Sequence, residues 1–314
     1  MAGGPRGVLL GIGNTPMVEL ASIVPAGSAR ILAKLESANP TGSMKDRMAS
    51  AVIEAAESDG RLRPGGTVVE YTAGTTGISL AMVCAAKGYR LHVVFSDAFS
   101  DEKRRAMLAF GATITDVPSD DKQINGALIK AMIARAGEIS QQPNHWWSDQ
   151  LNNHDAVRAY HALGEEIWQQ SGGQVDAFVH IVGTAHSLHG ATKTLRQQNP
   201  AIRVVAVEPA ESAVLSGGPT GAHKIEGTGL GFVPPLWEPS RVDEIVAVST
   251  EDARAMARRL ARDEGIFAGV SSGANVVAAL RIAERLGPDA SVATLIVDSG
   301  FRYLSTDVYA QPGR

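Results

Sequence analysis

The chain has 314 residues and a net charge of −4, with 44% hydrophobic and 20% charged residues. That length allows about two domains with sizeable cores, and the mild acidity gives no reason to expect nucleic acid or an anionic membrane as a partner. A single cysteine excludes an intrachain disulfide, no apolar run is long enough to span a bilayer, and the apolar part of residues 1–10 is too short for a secretory signal, so a cytoplasmic protein is expected.

In chain order, the turn at Pro40-Thr41-Gly42-Ser43-Met44-Lys45-Asp46-Arg47 leads into good helix sequence over 49–56. Lys45 therefore sits near a helix N-terminus, where the positive end of the dipole and the neighbouring Arg47 disfavour an ammonium. Thr67-Val68-Val69-Glu70-Tyr71 reads as a strand, followed by the small-residue loop Thr72-Ala73-Gly74-Thr75-Thr76-Gly77 and a helix over 78–87 that Gly88 ends. A strand over 91–95 and a helix over 101–110 come next, with Lys103, Arg104 and Arg105 as a solvated helix face. Residues 140–153 are polar and aperiodic, and read as a crossing between two domains, with Trp146 and Trp147 as interdomain packing. A strand over 177–182 runs into Gly183-Thr184-Ala185-His186-Ser187 and a further helix. After a strand at 204–207, the glycine- and proline-rich segment 212–235 reads as an irregular loop near a site. A charged helix over 251–263, an alanine-rich helix opened by Gly269-Val270-Ser271-Ser272-Gly273, and a strand over 292–297 complete the pattern. Strands alternating with helices predict an α/β fold built on parallel sheets.

Three of these turns place Gly, Ser and Thr at the start of a helix, where free backbone N–H groups favour an anion. Each alone is weak evidence; the loop at 72–77 suits a carboxylate or a phosphate, and the two hydroxyls at 183–187 favour a phosphate. Lys45 adds an amine with a lowered pKa, which Schiff-base chemistry requires, although a solvated lysine is the plainer reading of that stretch by itself. Together they imply an anionic ligand gripped by helix N-termini and a lysine that reaches it. His186 and His189 have no accompanying ligand cluster, so no metal is expected. Gly227-Thr228-Gly229-Leu230-Gly231 lacks the dinucleotide spacing. Cys84, in an apolar run, reads as a buried structural thiol.

The sequence resembles the cysteine synthase (O-acetylserine sulfhydrylase) and cystathionine β-synthase family of fold-type II pyridoxal-phosphate enzymes. The likeness runs from about residue 11 to 306. It rests on Gly13-Asn14-Thr15-Pro16, the segment around Lys45, Gln150-Leu151-Asn152-Asn153, Val207-Glu208-Pro209, His223-Lys224-Ile225-Glu226-Gly227, the turn at 269–273, and Ser299-Gly300 with Arg302-Tyr303-Leu304-Ser305-Thr306. It implies a tryptophan synthase β-like fold with two domains, each a mostly parallel sheet flanked by helices. Residues 1–37 and 151–314 would form the larger, cofactor-binding domain, and 38–150 a smaller mobile one.

The resemblance also implies roles. Lys45 matches the Schiff-base lysine, and Gly183, Thr184, Ala185, His186 and Ser187 match the cofactor-phosphate loop. Ser271 matches the serine facing the pyridine nitrogen, and Thr75 stands where a cofactor ring-oxygen partner is usual. Thr72, Ala73, Gly74, Thr76 and Gly77 match the loop holding the substrate carboxylate, Gln150 a glutamine near it, and Gly227 a glycine at the mouth. The implied reaction is β-replacement on O-acetyl-L-serine, or a similar activated serine, with sulfide to give L-cysteine through an aminoacrylate. β-Elimination, a different nucleophile, and a catalytically weak paralogue acting as a binding partner are the alternatives. A homodimer is the family expectation. The chain departs from the family pattern at Ala73 (usually Ser), Thr75 (usually Asn), Ala185 and His186 (usually Gly), and Phe301 (usually acidic). These departures bear on the substrate rather than on Lys45 or Ser271.

Overall fold

In the computed structural model, which describes residues 7–122 and 124–310, the strands form two sheets. Residues 1–6, part of the stretch considered above as a signal, lie outside the described residues. The chain enters through an antiparallel pair, β1 (Met17–Leu20) and β2 (Arg30–Leu35), and then α1 (Lys45–Ser58). Next come β3 (Thr67–Tyr71), α2 (Thr75–Lys87), β4 (Arg90–Phe95), α3 (Asp101–Ala109), β5 (Thr113–Asp116), α4 (Gly126–Ser140) and β6 (His145–Trp147). These four strands make an all-parallel sheet in the order β5-β4-β3-β6.

The chain continues through α5 (Asp155–Arg158), α6 (His161–Gln170), β7 (Ala177–Ile181), α7 (His186–Gln198), β8 (Arg203–Pro209) and β9 (Glu244–Val248). It closes with α8 (Thr250–Asp263), α9 (Val270–Leu286) and β10 (Ser291–Ile296). The larger sheet runs β1-β2-β10-β7-β8-β9, parallel except at β1.

Burial on both faces explains the composition of these strands. In β7, Ala177, Val179 and Ile181 face the core beneath α8 and α9, while Phe178 belongs to the core on the opposite face. β8 divides the same way, with Val205 and Val207 on one side and Val204 and Ala206 on the other. All five β7 residues are buried, so β-branched and small apolar side chains fill two layers at once.

The structure corrects some sequence expectations. α2 starts at Thr75, so half of the supposed loop is the first helical turn. The stretch at 140–153 contains β6, which pairs with β3, so Trp146 and Trp147 belong to an edge strand rather than a bare crossing. Period analysis misses a three-residue strand because alternation needs more positions to register. Lys103 is not on a solvated face: it is 1% exposed, whereas Arg104 and Arg105 pair with Asp116 and Asp101 at the surface.

Candidate active site

The N-terminal ends of α1, α2, α7 and α9 meet at one cleft between the two sheets. Of the residues singled out in the sequence, Lys45, Thr72, Ala73, Thr75, Thr76, Gln150, Gly183, Thr184, Ser187, Gly227 and Ser271 line it. Gly74, Gly77, Ala185 and His186, expected at the site, are not among the residues that line it. The N-cap residues of these four helices give no side-chain cap, but Ser43 Oγ accepts from the Lys45 N–H (3.2 Å) and Thr72 Oγ1 from the Gly77 N–H (3.3 Å). The first amides left uncovered, those that open α7 above all, suit an anion.

Lys45 is the first residue of α1. Burial lowers its amine to about 8, with the Asp298 carboxylate pulling the other way. Arg47 has no part in this, because its guanidinium is turned to Glu36 (2.7 Å) and Glu166 (2.7 Å). That buried cluster, which Lys34 joins through Glu166 at 2.7 Å, ties α1 to β2 and α6 and fixes where Lys45 emerges. No hydrogen bond to the Lys45 amine occurs among the described residues.

The floor near α7 is set by a chain of hydrogen bonds whose donors can be assigned. Asn275 Oδ1 accepts from the Ile181 N–H (2.6 Å), and its Nδ2 donates to the Leu295 carbonyl (2.8 Å) and toward His180 Nδ1 (3.3 Å). His180 Nδ1 is therefore an acceptor, and its Nε2–H donates to Ser187 Oγ at 2.7 Å. Burial keeps this imidazole neutral, its pKa down at about 3. The Ser187 hydroxyl proton is then free to point into the cleft. Beside it, Gly183 touches the Gly227 loop so closely that a Cβ would lie 2.5 Å from the Gly227 carbonyl oxygen. Ala185 opens α7 at φ 71°, ψ −9°, a left-handed conformation that a Cβ disfavours. His186, also held neutral by burial at about 3, turns its Nδ1 to Thr184 Oγ1 at 3.0 Å.

On the opposite wall, Thr72 Oγ1 accepts from the Gly74 (2.9 Å) and Gly77 (3.3 Å) amides. Gln150 accepts from the Thr76 hydroxyl at 2.9 Å and donates to the Tyr71 carbonyl at 2.8 Å. Its amide N–H donates to the buried Glu70 carboxylate at 2.9 Å. Gly74 has φ 115°, and a Cβ there would lie 2.5 Å from the Lys103 side chain. Ser272, not Ser271, anchors the start of α9, accepting from the Val297 N–H at 2.9 Å. This leaves the Ser271 hydroxyl on the cleft. Sequence reasoning missed Asp298, His180, and the ion pair of Lys103 with Glu226 (2.5 Å), which also line the cleft. Lys103 was hidden in a basic run whose other members are exposed, and its burial has no local sequence signal.

A partnerless buried amine, a free serine proton, uncapped helix starts and a second hydroxyl on α9 fit one ligand well. A planar aldehyde carrying a phosphate would place its phosphate at α7, its ring across the cleft to Ser271, and its aldehyde carbon at Lys45. This constellation defines a pyridoxal-phosphate enzyme. The sequence profile described as "Pyridoxal-phosphate dependent enzyme" matches residues 8–298. A cysteine synthase from Staphylococcus aureus is 42% identical over 95% of both chains. The cysteine synthase of Entamoeba histolytica superposes with a TM-score of 0.90 at 35% identity, covering 100% of this chain and 95% of that one. An O-ureido-L-serine synthase superposes at 0.91 with 38% identity, covering 98% and 96%. The chain belongs to the cysteine synthase family of pyridoxal-phosphate-dependent enzymes.

Proposed function

We propose that the chain catalyses β-replacement on O-acetyl-L-serine, or a similarly activated serine, with sulfide to give L-cysteine. The observation that carries this reading is the Lys45 amine, held without a protein partner in one cleft with both hydroxyl-lined helix starts and the carboxylate loop. The bound cofactor would supply an electron sink for negative charge at the substrate α-carbon. Lys45 holds the cofactor and, once displaced by substrate, takes the α-proton; an amine near 8 is basic enough to accept it, and far more of it is free near pH 8 than for an ordinary lysine at 10.5. Thr72, Thr76 and Gln150 receive the substrate carboxylate, and the α2 amides add their positive end. Ser271, a neutral hydroxyl, leaves the ring nitrogen without a charged partner, which favours prompt loss of the β-substituent over long-lived charge at the α-carbon.

A second nucleophile is favoured by one feature. Ala73 removes a hydroxyl from the carboxylate wall, Thr75 removes an amide that usually partners the cofactor's ring oxygen, and the chain is also similar to an O-ureido-L-serine synthase. The reaction is placed in the cytoplasm, in a homodimer, with the unit built on β5-β4-β3-β6 closing over bound substrate. No helix among the described residues is long and apolar enough to cross a membrane.

The test is a spectral titration. The protein with pyridoxal phosphate should be yellow, and borohydride should fix the cofactor on Lys45. O-Acetylserine, O-phosphoserine, serine and cysteine are then added in turn, with and without sulfide. A spectral change with O-acetylserine and sulfide-dependent release of cysteine support the reading. Response to another donor alone reassigns the substrate, and a colourless protein that turns over none of them rejects the enzyme in favour of a binding paralogue.

A further inference from the structure

Asp298 lies on the same cleft as Lys45, brought there by the backbone. After β10 the chain runs antiparallel to the turn before α1: the Met44 N–H donates to the Val297 carbonyl (3.0 Å), the Ser299 N–H to the Gly42 carbonyl (3.0 Å), and Ser43 pairs with Asp298. The carboxylate is 2% exposed. Its Oδ2 accepts from the Tyr303 hydroxyl at 2.8 Å, and its Oδ1 is buried with no protein partner. A buried carboxylate oxygen without a donor costs free energy that something else must offset.

We propose that Asp298 is a positioning residue for Lys45: its buried carboxylate, on the same cleft though not in contact with the amine, supplies the counter-charge to the ammonium that forms when the amine accepts the substrate proton. The inference rests on reading Lys45 as the base. The proton leaves the substrate α-carbon, resides on the Lys45 nitrogen with Asp298 as its counter-charge, and returns to the α-carbon once the nucleophile has added, which frees the amine to reform the cofactor link. A buried ammonium without a counter-charge is costly, so proton transfer to Lys45 needs an anion at hand.

The other ionisable groups on the cleft do not fill this role. Asp46, adjacent in sequence, is turned away to the Thr41 amide (2.7 Å) and hydroxyl (2.5 Å). Glu226 is paired with Lys103, whose amine lies 4.5 Å from the centre of the Tyr303 ring. His180 on β7 and His186 on α7 are neutral, and burial raises the Tyr71 hydroxyl. Arg302, behind Tyr303, donates to Thr41. Asp298 is also the anion that opposes the effect of burial on the Lys45 amine.

The experiment measures the Lys45 amine directly in cofactor-free protein. Acetylation by trace acetic anhydride is followed against pH, with Lys45 read by peptide mass spectrometry. Wild type should show an inflection near pH 8. In Asp298→Asn, which keeps an acceptor for Tyr303, the inflection should fall by about one unit, and Asp298→Glu should restore most of it. In the loaded enzyme, the acid limb of the kcat–pH profile should move the same way with KM for O-acetylserine nearly constant. A folded Asp298→Asn protein whose Lys45 inflection stays at the wild-type value overturns the proposal. If that variant does not fold, Asp298→Ser removes the same charge and is judged by the same two readings. Acetylation needs neither cofactor nor substrate, so its outcome is separate from whether the sulfide reaction is found.

Discussion

Ala185 shows how a single methyl is balanced at the cleft. Its left-handed conformation costs about 1–2 kcal/mol relative to an ordinary helix start. Glycine would relieve that strain, but would lose a buried methyl worth about 0.8 kcal/mol and add about 0.4–1 kcal/mol of chain entropy to the unfolded state. The terms nearly cancel, so Ala185→Gly should change stability by less than about 1 kcal/mol. Ala185→Val, β-branched and buried at the same φ, should cost more than about 2 kcal/mol. Urea unfolding of the cofactor-free proteins checks both, and equal stability for the two variants would contradict the observed backbone. Lys45 is another residue whose role was only partly legible beforehand. Its helix-start position was legible in Pro40, Gly42 and the helix formers after Ala49. The reason for its low pKa was not, because the burial that lowers it comes from a cleft assembled out of segments as distant in sequence as Ser271 and Val297.

At the scale of elements, Asn275 on α9 joins β7 and β10 through one side chain and reaches α7 by way of His180. Its Oδ1 satisfies the Ile181 N–H and its Nδ2 the Leu295 carbonyl, both in the core. Asn275→Ala strands both backbone groups and should cost about 2–4 kcal/mol. It also frees His180 to reverse its tautomer and take the Ser187 proton, so pyridoxal phosphate should bind more weakly than stability loss alone explains. Equilibrium dialysis against the cofactor, set beside a urea melt, separates the two effects; unchanged affinity would remove His180 from the phosphate floor. The elements themselves were largely readable. β3, β7 and β10 announce themselves as runs of β-branched residues bounded by glycine and polar turns, as strands buried on both faces must. The start of α2 was not readable, because Thr75-Thr76-Gly77 is poor helix sequence and is helical only through Thr72 and the packing of Met107 against Gly77. Lys103 was misjudged for a similar reason: its partner Glu226 is distant in sequence, and the glycine at 74 that admits it looks like any loop glycine.

For the whole molecule, the buried cluster of Lys34, Glu36, Arg47 and Glu166 makes stability depend on acid. Burial alone would raise the Glu166 carboxyl, but Arg47 and Lys34 hold it down at about 2. A carboxyl depressed in the folded state stabilises fully above its unfolded value near 4.5, and this contribution is lost as pH falls through about 2. Above that window Glu166 alone contributes about 3 kcal/mol. The stability advantage of wild type over Glu166→Gln should therefore shrink as pH is lowered from about 5 to 2, measured by urea unfolding at each pH. A constant difference across that range would mean that Glu166 is not ion-paired in solution. Parallel sheets were expected from the alternation of strands and helices, and a pair of them from the family resemblance. The packing of the smaller sheet against the C-terminal segment, through Lys103–Glu226 and the Ser100 hydroxyl on the Arg302 carbonyl (3.1 Å), was not.

α7 begins at the cleft with no side chain of its N-cap residue covering the first peptide groups. A dianion seated there would complete that helix, much as a capping side chain does. Vitamin supply then enters the folding equilibrium: at a hundredfold excess over its dissociation constant such a ligand adds about 2.7 kcal/mol. In a cell short of vitamin B6 the chain would lose more than activity, because a larger share of its copies would be open to proteolysis.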